Sequence, residues 1–201
     1  MQPAASPEER PAFPPHPLAL ALIQRLGGSG SSVLDFACAS GRNSAALRRA
    51  GLRVVMVEDA SAASAAPFAG LCGPFAAGLS THGLLHGRAA TIAENLRGIA
   101  ALLAPGGLLY ATFGSVRDAR FGQGVRIDAS TYAPEGGDER GVAHAFFDRD
   151  ALETLLAAHF TLASLEERAV DEVAGSWAHH QRPLAGAVHW FAVATVSETT
   201  R

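Results

Sequence analysis

Residues 33–58 restrict the fold more than any other part of the chain. Val33-Leu34-Asp35-Phe36-Ala37 is apolar apart from Asp35, the pattern of a strand buried on both faces. Cys38-Ala39-Ser40-Gly41 forms a turn, 43–50 a helix closed by Gly51, and 53–58 a second strand with three valines. Strand, helix and strand within about 26 residues make a parallel crossover unit, which is right-handed in nearly all proteins. The chain is therefore expected to build an α/β fold around a mostly parallel sheet.

The remaining pattern agrees. Residues 1–17 read as an irregular arm, with five prolines before Pro17 and little apolar periodicity. A single domain is expected over 18–201, opening with a helix at 18–26 that ends at Gly27-Gly28. After an alanine-serine stretch (60–66), read as a short helix, and a loop (67–74), a strand is expected at 75–80. Ile92, Leu96, Ile99, Leu102 and Leu103 recur at helical spacing within 88–103. Pro105-Gly106-Gly107 turns the chain into a strand at 108–113. A polar insertion over 114–141 has the length and composition of a segment that covers a site. A short strand at 145–147 and a helix capped by Asp148 lead to an antiparallel pair, 160–168 and 187–196, joined by a link that holds Trp177, His179 and His180.

The 201 residues suffice for one full core. Apolar residues make up 48% and charged ones 17%, which excludes a disordered chain. A net charge of -3 without a basic run implies no attraction to nucleic acid or to an anionic membrane. The apolar run from Pro17 follows Glu8 and Glu9, not a basic leader, and falls short of the roughly 18 residues that span a bilayer. Cys38 and Cys72 have no metal or redox spacing, so a reduced, cytoplasmic setting is expected.

Asp35 and Glu58 lie near the ends of adjacent parallel strands, where both carboxylates face one crevice. Such a crevice suits the ribose hydroxyls of a nucleoside cofactor. Gly41 permits close approach of ligand and backbone, and the helix start near Arg42 offers free amides. Capping or salt bridging is the plainer role for either carboxylate. Asp59 is a neighbouring candidate on the opposite side of the strand.

These residues resemble motif I of class I S-adenosylmethionine-dependent methyltransferases, in which an acidic residue precedes a glycine-alternating turn. Glu58 falls where that family keeps the ribose-binding acid. Gly41-Arg42-Asn43-Ser44, Leu79-Ser80-Thr81 and Pro105-Gly106-Gly107-Leu108-Leu109 resemble its small-molecule branch, which includes tellurite-resistance methyltransferases. The resemblance covers about residues 18–196. It implies a Rossmann-like sandwich with an antiparallel last strand, S-adenosylmethionine as cofactor and a small-molecule acceptor. It places Asp35, Ala37, Ala39, Gly41, Asn43, Glu58, Asp59, Ser80 and Thr81 around the cofactor.

Two departures stand out. Ala37 and Ala39 replace glycines, and their methyls are expected to crowd the ligand's methionine tail without straining the backbone. The stretch 59–75 is too short for the helix, third strand and adenine-contacting acid usual in the family. The third strand is expected to be missing or reduced, leaving a sheet edge that can pair with a second copy as a homodimer.

The resemblance also puts Ser80-Thr81-His82-Gly83 beside the transferable methyl. His82 is the candidate base, against a plain capping role. His86, Arg117, Arg120, Phe121 and His144 are candidates for the acceptor pocket, the arginines for an anionic acceptor and Phe121 for an aromatic one. His82 and His86, four apart, would share a helical face. A zinc site would need a third ligand such as His144, His179 or His180, and no sequence feature fixes that convergence, so no metal is assigned. A binding or scaffold protein that keeps the fold with weakened cofactor affinity is the alternative function. A nicotinamide or nucleotide enzyme ranks below both, because the first turn lacks a phosphate-cradling glycine trio.

Overall fold

The computed structural model describes residues 13–37, 41–57, 67–137, 139–176 and 185–197. Helix α1 (Pro17–Leu26) leads to β1 (Ser32–Phe36), α2 (Arg42–Arg49) and β2 (Arg53–Val57), the expected crossover unit. β3 (Phe75–Ser80), α3 (Ala89–Leu102) and β4 (Leu103–Ser115) follow. β1 pairs in parallel with β2 on one side and β3 on the other, and β3 pairs in parallel with β4.

The insertion carries more structure than its composition indicates. β5 (Val125–Arg126) and β6 (Thr131–Ala133) form a ribbon with β7 (His144–Phe147), which joins the end of β4 in parallel. α4 (Arg149–Ala157) begins at Asp148, whose carboxylate accepts from Ala151 N–H at 2.8 Å. β8 (Phe160–Ala169) and β9 (Val188–Val196) close the sheet, with β9 antiparallel to both β4 and β8.

The architecture is thus a Rossmann-like sandwich whose mostly parallel sheet closes on an antiparallel last strand. α1 packs on one face through Leu18 and Leu22 with Val33, Leu79, Tyr110 and Phe191. α3 and α4 pack on the other through Ile92, Leu96, Ile99, Leu152 and Leu156 with Leu34, Phe113 and Trp190. Among the described residues β2 is the sheet edge, as the short 59–75 stretch implies. Phe68 stacks on Phe36 with centroids 5.3 Å apart, beside the backbone of Gly98 in α3, where a larger residue would strike its ring. The expected helix at 60–66 lies outside the described residues. No helix among the described residues is long and apolar enough to cross a membrane.

Candidate functional site

The chain runs from β1 to β2 on one side and then crosses to β3 on the other. The C-terminal ends of β1 and β3 are therefore the topological switch point, where open parallel sheets bind ligands. Asp35 is buried there, and its Oδ2 accepts from Ser44 Oγ, in the first turn of α2, at 2.5 Å. This carboxylate steadies the helix start. Oδ1 is buried and has no hydrogen-bond partner among the described residues. Burial outweighs the Ser44 bonds and raises the Asp35 pKa to about 6.

Ala37 corrects the expectation of an unstrained turn. Its φ is 56°, in the left-handed region that costs an L-residue about 1–2 kcal/mol. Its methyl meets Gly83 of the loop after β3, where an added Cβ would overlap Ala37 Cβ and lie 2.8 Å from Ser80 Oγ. The methyl thus packs against the backbone of Gly83, joining the end of β1 to the loop after β3. Gly41 caps α2 at φ 71° without a side-chain cap, and Met56 lies close beside it. Ser80 Oγ is buried without a partner among the described residues. Ala39, Glu58 and Asp59 lie outside the described residues, as do Trp177, His179 and His180.

Asn43 is held by the protein. Its Oδ1 accepts from His16 N–H at 2.9 Å and its Nδ2 donates to Thr81 Oγ1 at 2.8 Å. It ties the segment before α1 to the tip of β3. Arg42 Nη1 donates to both Pro14 O and Gly175 O at 2.7 Å, fastening that segment and the turn after β8 over the start of α2. Burial lowers the Arg42 pKa to about 10.

His82 and His86 do not share a helical face. His82 has φ 71° and precedes a short 3-10 turn (Gly83–Leu85), while its N–H donates to Thr112 Oγ1 at 2.8 Å. Its ring meets His189 edge-on at 5.3 Å and His16 at 5.9 Å. His16 also stacks on Phe191, and its Nδ1 accepts from Leu18 N–H. Burial, reinforced by Arg42, lowers the His16 pKa to about 3. Burial, reinforced by Arg120, does the same to His189, also to about 3. Both rings are neutral near pH 7, and pKa values that low make them weak bases.

The arginines do not present free charge to an acceptor. Arg120 forms a two-pronged pair with buried Asp118 at 2.8 and 2.9 Å and donates to His189 Nε2 at 3.1 Å. Arg117 pairs with Glu167 at 2.9 Å and is largely exposed. Phe121 packs against Tyr132 and Phe146 and borders a concavity shared with α4. His86 and His144 lie together, joined by an isolated antiparallel bridge, with Glu139 between their Nε2 atoms. Interactions with His144 and His86 hold the Glu139 carboxyl well below the usual range.

Sequence reasoning missed His16, Asp118, Glu139 and His189. Only His189 left a signal, since it shares the period-2 face of Phe191 and Val193, which pack against the core.

No protein-family model matches the chain, and no curated protein matches it in sequence. Solved structures do match. The Burkholderia thailandensis 1,6-didemethyltoxoflavin-N1-methyltransferase, with 1,6-didemethyltoxoflavin and S-adenosylhomocysteine bound, is 23% identical with TM-score 0.61, covering 90% of this chain and 77% of that one. The CcbJ methyltransferase of Streptomyces caelestis is 18% identical with TM-score 0.59, covering 94% of each chain. The magnesium protoporphyrin IX methyltransferase of Synechocystis PCC 6803, with S-adenosylhomocysteine bound, is 12% identical with TM-score 0.55, covering 89% of this chain and 82% of that one. The fold of this chain is therefore the fold of S-adenosylmethionine-dependent methyltransferases.

Proposed function

We propose that the protein binds S-adenosylmethionine at the β1–β3 switch point and methylates a small molecule. The observation that carries this reading is a pair of buried polar atoms without partners among the described residues, Asp35 Oδ1 and Ser80 Oγ, at the ends of the two strands that flank the ligand position of this fold. The residues fit the cofactor: a buried carboxylate with a free oxygen suits its cationic end, and the uncapped start of α2 at Gly41 supplies amides. Glu58 is assigned to the ribose from its place after β2, and Asp59 and Ala39 to the same surroundings. When bound, the cofactor supplies an electrophilic methyl carbon on a sulfonium.

The protein's own contribution is alignment and exclusion of water. Asn43 and Arg42 fasten the segment before α1 across the site. His82, flanked by two neutral imidazoles, takes the proton that the acceptor releases. The acceptor lies toward His82 and the insertion that carries Phe121 and His144. Edge strand β2 pairs with a second copy, and a monomer in sedimentation removes that part.

A second reading, a binding protein that keeps the fold with weakened cofactor affinity, is favoured by the Ala37 methyl at the end of β1. Calorimetry with S-adenosylmethionine and S-adenosylhomocysteine separates the two. Micromolar binding supports the enzyme, and no heat at millimolar ligand supports the second reading.

A further inference from the structure

The geometry points to a zinc site formed by His86, Glu139 and His144, with a fourth position open to water. It does not require cofactor binding, although His144 also belongs to the side on which the acceptor is placed. His86 Nε2 lies 3.4 Å from Glu139 Oε1, and His144 Nε2 lies 3.2 Å from Oε2. All three candidate ligand atoms lie within 4.8 Å of one another. A tetrahedral zinc with bonds of about 2.0–2.1 Å holds its ligand atoms about 3.3 Å apart. Charge-assisted hydrogen bonds are shorter, about 2.7–2.9 Å. The two imidazole–carboxylate spacings are of the tetrahedral size, each to a different Glu139 oxygen, and the three groups together lie within reach of one ion.

The second observation is the state of His144. Its Nδ1 donates to the Val142 carbonyl at 2.8 Å, which turns the buried Nε2 toward Glu139 Oε2 at 3.2 Å. Nε2 has no hydrogen bond of good geometry among the described residues. A cation seated between the imidazole and the carboxylate would be held by both. Binding of a neutral imidazole through Nε2, with Nδ1–H on a carbonyl, is the usual arrangement at zinc. Two imidazoles and one carboxylate favour zinc over calcium or magnesium, which take oxygen ligands.

The surroundings permit a dication. Arg120 Nη1, 3.7 Å from Glu139 Oε2, faces the cluster, but its charge is matched by the two-pronged pair with Asp118. His86 and Glu139 are about one-third exposed, which gives an entry path, while His144 forms the buried side. His86 belongs to the segment after β3, and Glu139 and His144 to the end of the insertion. The metal would staple the insertion against that segment, next to His82.

Zinc chloride titrated into tag-free, chelator-treated protein tests the site by calorimetry and by thermal unfolding. One equivalent should bind at micromolar or tighter dissociation constant and raise the unfolding midpoint. His86→Ala and Glu139→Gln, both at partly exposed positions, should each weaken binding at least tenfold. His144→Ala should abolish it, with circular dichroism confirming the fold; if that variant does not fold, the other two decide. Absence of binding to the parent protein, or binding that survives both His86→Ala and Glu139→Gln, overturns the proposal.

Discussion

The contact between Ala37 and Gly83 is open to a double-mutant cycle. Gly83→Ala adds a methyl that overlaps Ala37 Cβ and crowds Ser80 Oγ at 2.8 Å and the Phe36 carbonyl at 3.2 Å. Overpacking of this kind costs about 1–3 kcal/mol. Ala37→Gly alone relieves about 1–2 kcal/mol of left-handed strain. Greater freedom of the unfolded chain offsets about 0.4–1 kcal/mol of that. Loss of one partly buried methyl offsets up to about 0.8 kcal/mol more. The single change should therefore lie between about 0.8 kcal/mol destabilising and about 1.6 kcal/mol stabilising, the span of those terms. In the Ala37→Gly background the principal clash of Gly83→Ala is gone, while the Ser80 and Phe36 contacts remain. The cost of Gly83→Ala should fall by at least about 1 kcal/mol, a coupling typical of touching residues. Urea unfolding of the four proteins measures it. Equal costs in both backgrounds, within about 0.3 kcal/mol, would falsify the contact.

Stability should fall with acidity in a defined way. His16 and His189, lowered from 6.5 to about 3, stay neutral when folded but protonate when unfolded below pH 6.5. Asp35, raised from 3.8 to about 6, holds a proton when folded that the unfolded chain releases, so it acts in the opposite direction. Two protons against one leave a loss of about 1.4 kcal/mol per pH unit on descending from pH 6 to 5. Asp35→Asn should steepen that slope toward twofold and stabilise the protein at neutral pH; an unchanged slope removes the account of Asp35. Asn43→Ala breaks one buried and one part-buried hydrogen bond and should cost about 1–3 kcal/mol in denaturant unfolding. Gly98→Ala improves helix propensity, yet its methyl would strike the Phe68 ring, so it should destabilise by about 1–3 kcal/mol; a stabilised variant contradicts the packing of Phe68 on α3.

The order of the main strands was legible because each left a local pattern. Val33 to Phe36 is apolar apart from Asp35, and residues 188–196 alternate between the two core faces. The site was less legible, because its polar atoms find partners far along the chain. Nothing at Asp35 announces that Ser44 will take one of its oxygens, and nothing at Asn43 announces His16 and Thr81. Ala37 conceals its positive φ because alanine ordinarily avoids that region. Arg120 reads as a loop cation, but Asp118 two residues earlier pairs with it, and Val188 N–H and His189 fix that pair against β9. Glu139 reads as a solvated loop charge, and its meeting with His86 and His144 depends on one bridge between distant segments.

The central claim places a nucleoside sulfonium at the junction of β1, β3 and the start of α2. Amide chemical-shift mapping during titration with S-adenosylhomocysteine tests it most directly. The account predicts saturable shifts concentrated at Asp35, Gly41, Ser44 and the Ser80-to-Gly83 loop. Shifts confined to the ribbon or to α4, or a spectrum unchanged at millimolar ligand, would contradict it.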